Sequence, residues 1–225
     1  MMGFYARLAA AIAVIVFAGL AAWFIAQLAP RLSTQVLHAR LDTLSSYTVS
    51  VVGGSLRLVP GGNASATILS RWCSPRIRVS PNSGVLEVEK SPVCFGYTAT
   101  VTLPERLESL RVEVQAGSLV MKGFEVGNLT IRCVACSAAV KAGVGNATLE
   151  FDAASGAVKL RPLSNSTRIR LVANSASVAL LIEGQARVRT LYVHAGSLAV
   201  KGCGGGGPLV EIGLNAASVA VKCTG

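Results

Sequence analysis

The segment AGSLVMKG, residues 116–123, decides the fold, because it returns almost unchanged as AGSLAVKG at residues 195–202. Each copy is a turn of small residues followed by a short strand-like run in which every second residue is aliphatic. Four further segments keep this form: CSAAVKAG from Cys136, ASGAVKL from Ala154, NSASVALL from Asn174 and NAASVAVKC from Asn215. Aligned on their ends, the six segments recur at steps of 18 to 22 residues. Such a period is typical of chains that stack one small structural unit on the next.

A second strand-like run precedes each of these segments. The runs are LRVEV (110–114), LTIRC (129–133), ATLEF (147–151), RIRLV (168–172), LYVH (191–194) and LVEIG (209–213). A unit of two short strands cannot bury its apolar face alone, whereas a stack of units can. We therefore predict an all-β fold, a β-solenoid with rungs of about 20 residues, irregular over 46–109 and regular over 110–225. A β-sandwich of short strands is the alternative, but a sandwich requires no fixed period.

Within the second strand of each repeat, alternation predicts which residues face the core. Leu119 and Met121 form the inward pair of the first repeat, and Leu198 and Val200 form the inward pair of the fifth. The residues between them, mostly alanine, face outward and leave a flat surface, so self-association through this face remains open.

An uncharged run of 21 residues, Leu8 to Leu28, precedes the repeats. It is long enough to cross the hydrocarbon core of a bilayer as a helix, and it predicts one transmembrane helix within an anchor at 1–30. The alternative is a cleaved signal peptide, whose apolar core is normally shorter. Helical spacing of aliphatic residues after the anchor predicts a stalk helix over 31–45. The spacing rests on Leu32, Val36, Leu37, Leu41 and Leu44.

Composition and sequence motifs place the β-domain outside the cell. The chain is 52% hydrophobic and only 14% charged, which excludes a charged, disordered protein. Six cysteines suit an oxidising compartment. Four Asn-x-Ser/Thr sequons predict N-glycosylation of an exported chain; they begin at Asn63, Asn128, Asn146 and Asn165. We therefore expect a single-pass protein of the cell membrane with its C-terminal domain outside.

The cysteine spacings match the repeat. Cys203 and Cys223 are 20 residues apart, and Cys73 and Cys94 are 21 apart, so each pair is predicted to form a disulfide between neighbouring rungs. Cys133 and Cys136 form a Cys-x-x-Cys pair, whose state the sequence leaves open. A zinc site would need a second close pair of ligands, so no metal and no cofactor is predicted.

Five of the six lysines occupy one position of the repeat, with Leu181 at that position in the remaining copy. The five are Lys122, Lys141, Lys159, Lys201 and Lys222. Equivalent residues of stacked strands lie about 4.8 Å apart, so these lysines would form a row of like charges. One interpretation is an anion-binding row for an acidic glycan or lipid. The other is a solvated edge that prevents lateral strand pairing.

The residues needed for catalysis are scarce. Asp152 and His194 could be written into a Ser-His-Asp set, but they belong to different rungs, about 10 Å or more apart. We expect no enzyme. The net charge of +10 is accompanied by only 5% aromatic residues, whereas single-stranded nucleic-acid binding uses basic and aromatic residues together. No nucleic-acid partner is expected.

The AGSLxVKG-type repeat after a single anchor resembles the putative-adhesin β-solenoid families found outside many bacteria and archaea. The resemblance covers residues 46–225 and supplies no catalytic residues. It implies a membrane-anchored cell-surface protein with an adhesive or envelope-structural role. A binding or sensing module that engages an anionic glycan or lipid through the lysine position is the alternative.

Overall fold

The computed structural model describes residues 34–71, 75–90 and 96–224, together with Leu20 and Trp23. This part of the chain is all-β, which confirms the predicted class. Of the predicted anchor at 1–30, only Leu20 and Trp23 are described, so the predicted span falls outside the described residues. No helix within the described ranges is long and apolar enough to cross a membrane.

Seventeen strands are described. They are β1 (Thr34–Arg40), β2 (Ser46–Val52), β3 (Ser55–Pro60), β4 (Ser65–Arg71), β5 (Arg76–Ser80), β6 (Val85–Glu89), β7 (Tyr97–Leu103), β8 (Arg106–Gln115), β9 (Ser118–Val134), β10 (Ser137–Asp152), β11 (Ser155–Pro162), β12 (Arg168–Asn174), β13 (Ser177–Glu183), β14 (Arg187–His194), β15 (Ser197–Lys201), β16 (Leu209–Asn215) and β17 (Ser218–Thr224). A 3-10 turn at Pro81–Ser83 joins β5 to β6.

Fourteen of the described strands form two parallel ladders, and the other three extend one end of the stack antiparallel: β5 pairs with β6, β4 with β7, and β1 with β4. The first ladder runs β6-β2-β8-β9-β10-β12-β16-β14. The second runs β7-β3-β9-β10-β11-β13-β17-β15. Strands β9 and β10 are long enough to take part in both. A strand of the first ladder and the second-ladder strand that follows it make one unit of the stack. Aliphatic side chains from both ladders meet between them and form one continuous core.

The order of the units departs from chain order at both ends. In the middle, Val140 lies opposite Met121 and Val158, 19 and 18 residues away. Near the C-terminus, Leu181 lies opposite Lys222, 41 residues later, because the unit β16–β17 inserts between β12–β13 and β14–β15. The unit β2–β3 is similarly placed between β6–β7 and β8–β9. Stacking of rungs in simple chain order therefore does not describe either end.

A glycine-rich connection allows the chain to cross back at the C-terminal end. Gly205 and Gly207 have φ angles of 73° and 92°, in the left-handed region that favours glycine. A Cβ atom on Gly207 would overlap the carbonyl oxygen of Gln185. The connection between β15 and β16 therefore depends on the absence of side chains.

The predicted stalk helix over 31–45 is wrong. Residues 34–40 form strand β1, which pairs antiparallel with β4 and places Leu37 opposite Ile68. Leu37 and Ala39 pack against the core, whereas Val36 on the other face is 49% exposed. Leu37, Ala39 and Leu41 follow period two and face the core, whereas Val36 fits only the helical spacing. A short isolated helix is marginally stable in water, whereas pairing with the edge of β4 also buries the inward side chains.

Within the regular repeats, a non-glycine residue with left-handed backbone recurs at each turn from the first ladder to the second. The φ angles lie between 48° and 54°, and the residues are Ala116, Ala135, Ala153, Ser175, Ala195 and Ala216. The residue that follows is always small. At Gly117, an added Cβ atom would overlap the carbonyl oxygen of Gly54 in the neighbouring unit. The small-residue turns read from the sequence therefore combine a left-handed bend with close contact between backbones.

Candidate functional site

The ladder register brings the five repeat lysines together on one side of the second ladder. Lys141 lies between Lys122 and Lys159, and Lys201 lies beyond Lys222. Leu181 occupies the position between Lys159 and Lys222. We call this set, in the spatial order 122, 141, 159, 222 and 201, the lysine row. Strand neighbours are about 4.8 Å apart, so Lys122, Lys141 and Lys159 lie at that spacing, as do Lys222 and Lys201. Leu181 separates the two groups by about two strand spacings.

Most of the lysine row lacks a compensating negative charge. Lys159 Nζ contacts Glu183 Oε1 at 2.7 Å. Within the described part of the chain, the other four lysines form no ion pair. Four exposed cations are therefore available to a ligand.

A groove of about 270 Å³ adjoins the row where the chain turns away from the second ladder. Its base includes the buried residues Phe124 and Ala142. Its charged lining combines three cations with three carboxylates: Lys141, Lys159, Arg161, Glu105, Glu125 and Glu183. The groove therefore extends the lysine row into a concave, mixed-charge surface.

Ion pairs fix two of the three carboxylates in the groove. Glu125 Oε1 accepts a hydrogen bond from Arg161 at 2.6 Å, and Glu125 Oε2 lies 3.2 Å from Arg106 Nε. The hydrogen bond from Lys159 lowers the pKa of Glu183, and the nearby charges of Lys141 and Arg161 act in the same direction. Among the described residues, Glu105 and Lys141 have no ion-pair partner. The groove thus keeps one uncompensated charge of each sign.

Most of the residues that line the groove were not predicted from the sequence. Glu125, Arg161 and Glu183 follow the lysine position of their repeats by two or three residues, and only the turn geometry brings them together. A charged residue soon after the lysine position was the available signal. It was weak because the charge changes sign between repeats.

The two described cysteine pairs are both disulfide-bonded. Cys203 and Cys223 are bonded with their Cα atoms 5.0 Å apart, which ties the end of β15 to β17. Cys133 and Cys136 are bonded across the turn at Ala135, which answers the question that the sequence left open. Cys73 and Cys94 lie outside the described residues. No group of three or more metal-ligating side chains occurs within the described ranges.

The four sequon asparagines occupy two kinds of position. Asn63 and Asn165 are exposed in loops between strands. Asn128 and Asn146 lie on β9 and β10, where Asn146 Nδ2 donates to Asn128 Oδ1 at 3.3 Å. The Asn146 side chain also accepts a hydrogen bond from the backbone N–H of Arg168. The strand asparagines therefore have a structural role that the loop asparagines lack.

Asp152 and His194 are not brought together. In the first ladder, Asp152 lies opposite Asn174, Asn174 opposite Asn215, and Asn215 opposite His194. Three strand steps separate them, about 14 Å, because the unit β16–β17 inserts between theirs. His194 instead stacks on Tyr192, with ring centroids 5.7 Å apart. A Ser-His-Asp arrangement using this pair does not form.

No protein family and no curated protein matches the sequence. The similar solved structures include a putative cell adhesion protein from Clostridium sporogenes, which is 10% identical with a TM-score of 0.42 over 85% of this chain and 100% of that chain. A putative adhesin from Parabacteroides distasonis is 9% identical, with a TM-score of 0.41 over 85% of this chain and 97% of that chain. A putative adhesin from Bacteroides fragilis is 10% identical, with a TM-score of 0.39 over the same shares. These all-β structural neighbours are of the kind that the repeat resembles.

Proposed function

We propose that this chain is a membrane-anchored cell-surface β-solenoid with an adhesive role, and that it binds an acidic glycan through the lysine row. The observation that carries the proposal is the register alignment of five lysines, four of them without an ion pair among the described residues. A row of positive charges at strand spacing is suited to a polyanion, whose charges also repeat along a line.

The solenoid part of the proposal is supported by the two parallel ladders and by units that recur every 18 to 22 residues through the middle of the chain. The export part is supported by the apolar run before the β-domain and by the two disulfides, since disulfides persist in oxidising compartments. Both parts agree with a domain displayed outside the membrane.

Four of the five lysines lie on strands that are paired on both sides, and Lys201 alone lies on a strand at the edge of the described stack, β15. This placement argues against a purely protective role. Lysines that prevent lateral pairing belong on edge strands. Lys141 lies on β10, which has β9 on one side and β11 on the other, so it guards no edge. Like charges stacked on neighbouring strands are destabilising. The repulsion between stacked lysines lowers the stability of the fold, so a ligand that neutralises their charge explains the row better than edge protection does.

The proposal predicts that the row, more than net charge, governs binding to acidic polysaccharide. Replacing Lys122, Lys141 and Lys159 with serine should shift elution from an acidic-polysaccharide column to markedly lower salt, because each cation removed weakens a screened attraction. Elution by a salt gradient measures the shift.

A matched control removes three positive charges elsewhere. Arg71, Arg76 and Arg168 are exposed and lie outside the row, and their replacement with serine should leave elution close to that of the unmodified protein. Equal shifts for both triple variants, or no shift for either, would contradict the proposal. Thermal unfolding of each variant shows whether the fold is retained.

A further inference from the structure

The C-terminal end of the stack is open. Strands β14 and β15 pair with β16 and β17 on one side, and no other described strand pairs with them on the opposite side. The backbone N–H and C=O groups along that side are therefore free to receive another strand.

Side chains of the same unit are exposed where their equivalents are buried. Val200 is 45% exposed, whereas its register partner Val221 is 2% exposed. Val193 is 42% exposed, whereas its partner Leu214 is fully buried. The pattern is that of an interior unit with its covering layer missing. Stacked-repeat proteins usually protect such an end with a capping unit.

The charge of this unit selects the kind of partner. Residues 187–201 include Arg187, Arg189 and Lys201 and no acidic residue. A second copy docked edge to edge would bring the same cations together. A second copy docked head to tail would bring them against β1 and β5, which carry Arg40, Arg76 and Arg78. A partner with negative charge avoids both repulsions.

We propose that the open unit β14–β15 binds an extended segment of another protein in which acidic and aliphatic side chains alternate, by adding it as a strand beside β14. The backbone edge supplies hydrogen bonds, and Val193 and Val200 supply apolar contact. Arg187 attracts the acidic side chains, together with Arg189, whose guanidinium also lies 4.0 Å from Glu211 of β16. The register shift between Thr190 and Tyr192 interrupts β14. This bulge suits a short segment and disfavours the long flat pairing that leads to fibres.

The test uses three labelled eight-residue peptides with the whole protein: alternating Glu and Val, alternating Lys and Val, and alternating Glu and Pro. The Glu–Val peptide should bind at least about tenfold more tightly than the other two, because the Lys peptide is repelled and proline lacks the N–H that a strand must donate. Fluorescence anisotropy measures the affinities. Equal binding of the Glu–Pro peptide, or no binding of the Glu–Val peptide, would overturn the proposal.

Two variants locate the site. The double substitution Arg187→Glu and Arg189→Glu should reverse the preference toward the Lys–Val peptide, whereas serine at Lys122, Lys141 and Lys159 should leave Glu–Val binding unchanged. Loss of Glu–Val binding in the lysine variant would overturn the proposal, since the peptide would then be captured by the row. Concentration-dependent dimerisation of the unmodified protein that Val200→Lys abolishes would also overturn it, in favour of a second copy.

Discussion

Alanine occupies a backbone conformation that usually belongs to glycine at five turns of this protein. A left-handed backbone costs an L-residue roughly 1–2 kcal/mol, yet Ala153 and its equivalents keep φ near 50°. The residue that follows each of these turns is small because the backbone there passes close to the neighbouring unit, as at Gly117 and Gly54. The sequence pattern indicated a turn of small residues, but alanine does not signal left-handed backbone, so the conformation itself could not be predicted.

We expect Ala153→Gly to stabilise the protein. Glycine removes the cost of the left-handed backbone in the folded state. It also makes the unfolded chain more flexible, which favours unfolding. The net effect is an increase of about 0.5–1 kcal/mol in the free energy of unfolding. Chemical denaturation measures it.

Ala157 offers a matched control because it is an exposed alanine on strand β11 of the same unit with ordinary strand backbone. Ala157→Gly should destabilise by about 0.5–1 kcal/mol. Effects of the same sign at positions 153 and 157 would contradict this interpretation.

Prediction of inward-facing residues succeeded where a unit has neighbours on both sides. Leu119 and Met121 are buried as the alternation predicts. Leu198 and Val200 have the same pattern, but Leu198 is only partly buried and Val200 is largely exposed. Alternation determines which face a side chain occupies, whereas burial also depends on whether another unit covers it. Whether another unit covers a side chain depends on the order in which the units stack, and the repeat pattern does not specify that order.

At the scale of strands, segment 34–40 shows how the environment decides between helix and strand. Leu37 and Ala39 fit a strand, whereas Val36 and Leu37 together fit a helix, and pairing with β4 favours the strand. The candidate site depends on elements in the same way. The lysine alignment follows directly from the repeat, whereas the groove requires the turn after each second-ladder strand to bring Glu125, Arg161 and Glu183 together.

The two described disulfides should differ in their contribution to stability. The loop closed by Cys203 and Cys223 spans 20 residues, whereas that closed by Cys133 and Cys136 spans three. Loop-closure entropy predicts that replacing the first pair with alanine costs about 3 kcal/mol and the second about 2 kcal/mol. Denaturant midpoints of the two double variants measure the difference. A larger loss at 133 and 136 would show that loop length does not govern it.

At the scale of the whole molecule, the stack is built in a different order from the chain. The repeat period led to the expectation of an all-β stack, and the class is confirmed. The position of β16–β17 between β12–β13 and β14–β15 could not be predicted from the repeat, because every unit presents similar strands to its neighbours. The glycine run at 204–207 was the one local sign of an unusual connection.

Truncation should reveal this order. A chain that ends at Gly202 loses β16 and β17, so β14 and β15 lose the strands with which they pair. A chain that ends at Gly184 lacks all four strands and finishes on the complete unit β12–β13. We expect the shorter chain to resist limited proteolysis at least as well as the longer one, because it carries no unpaired unit.

In a stack wound in chain order, the longer chain would retain one more paired unit and would be the more resistant of the two. Greater protease resistance of the chain ending at Gly202 would therefore contradict the inserted arrangement.

The inserted unit also affects how the protein can be made. A repeat protein stacked in order can settle each unit as it leaves the ribosome. Here β16 is synthesised after β14 but lies between β12 and β14, so the unit β14–β15 cannot take its final position until the later strands have been made. A product that terminates before β16 would therefore lack an interior unit, and β14–β15 would have lost the strands with which it pairs.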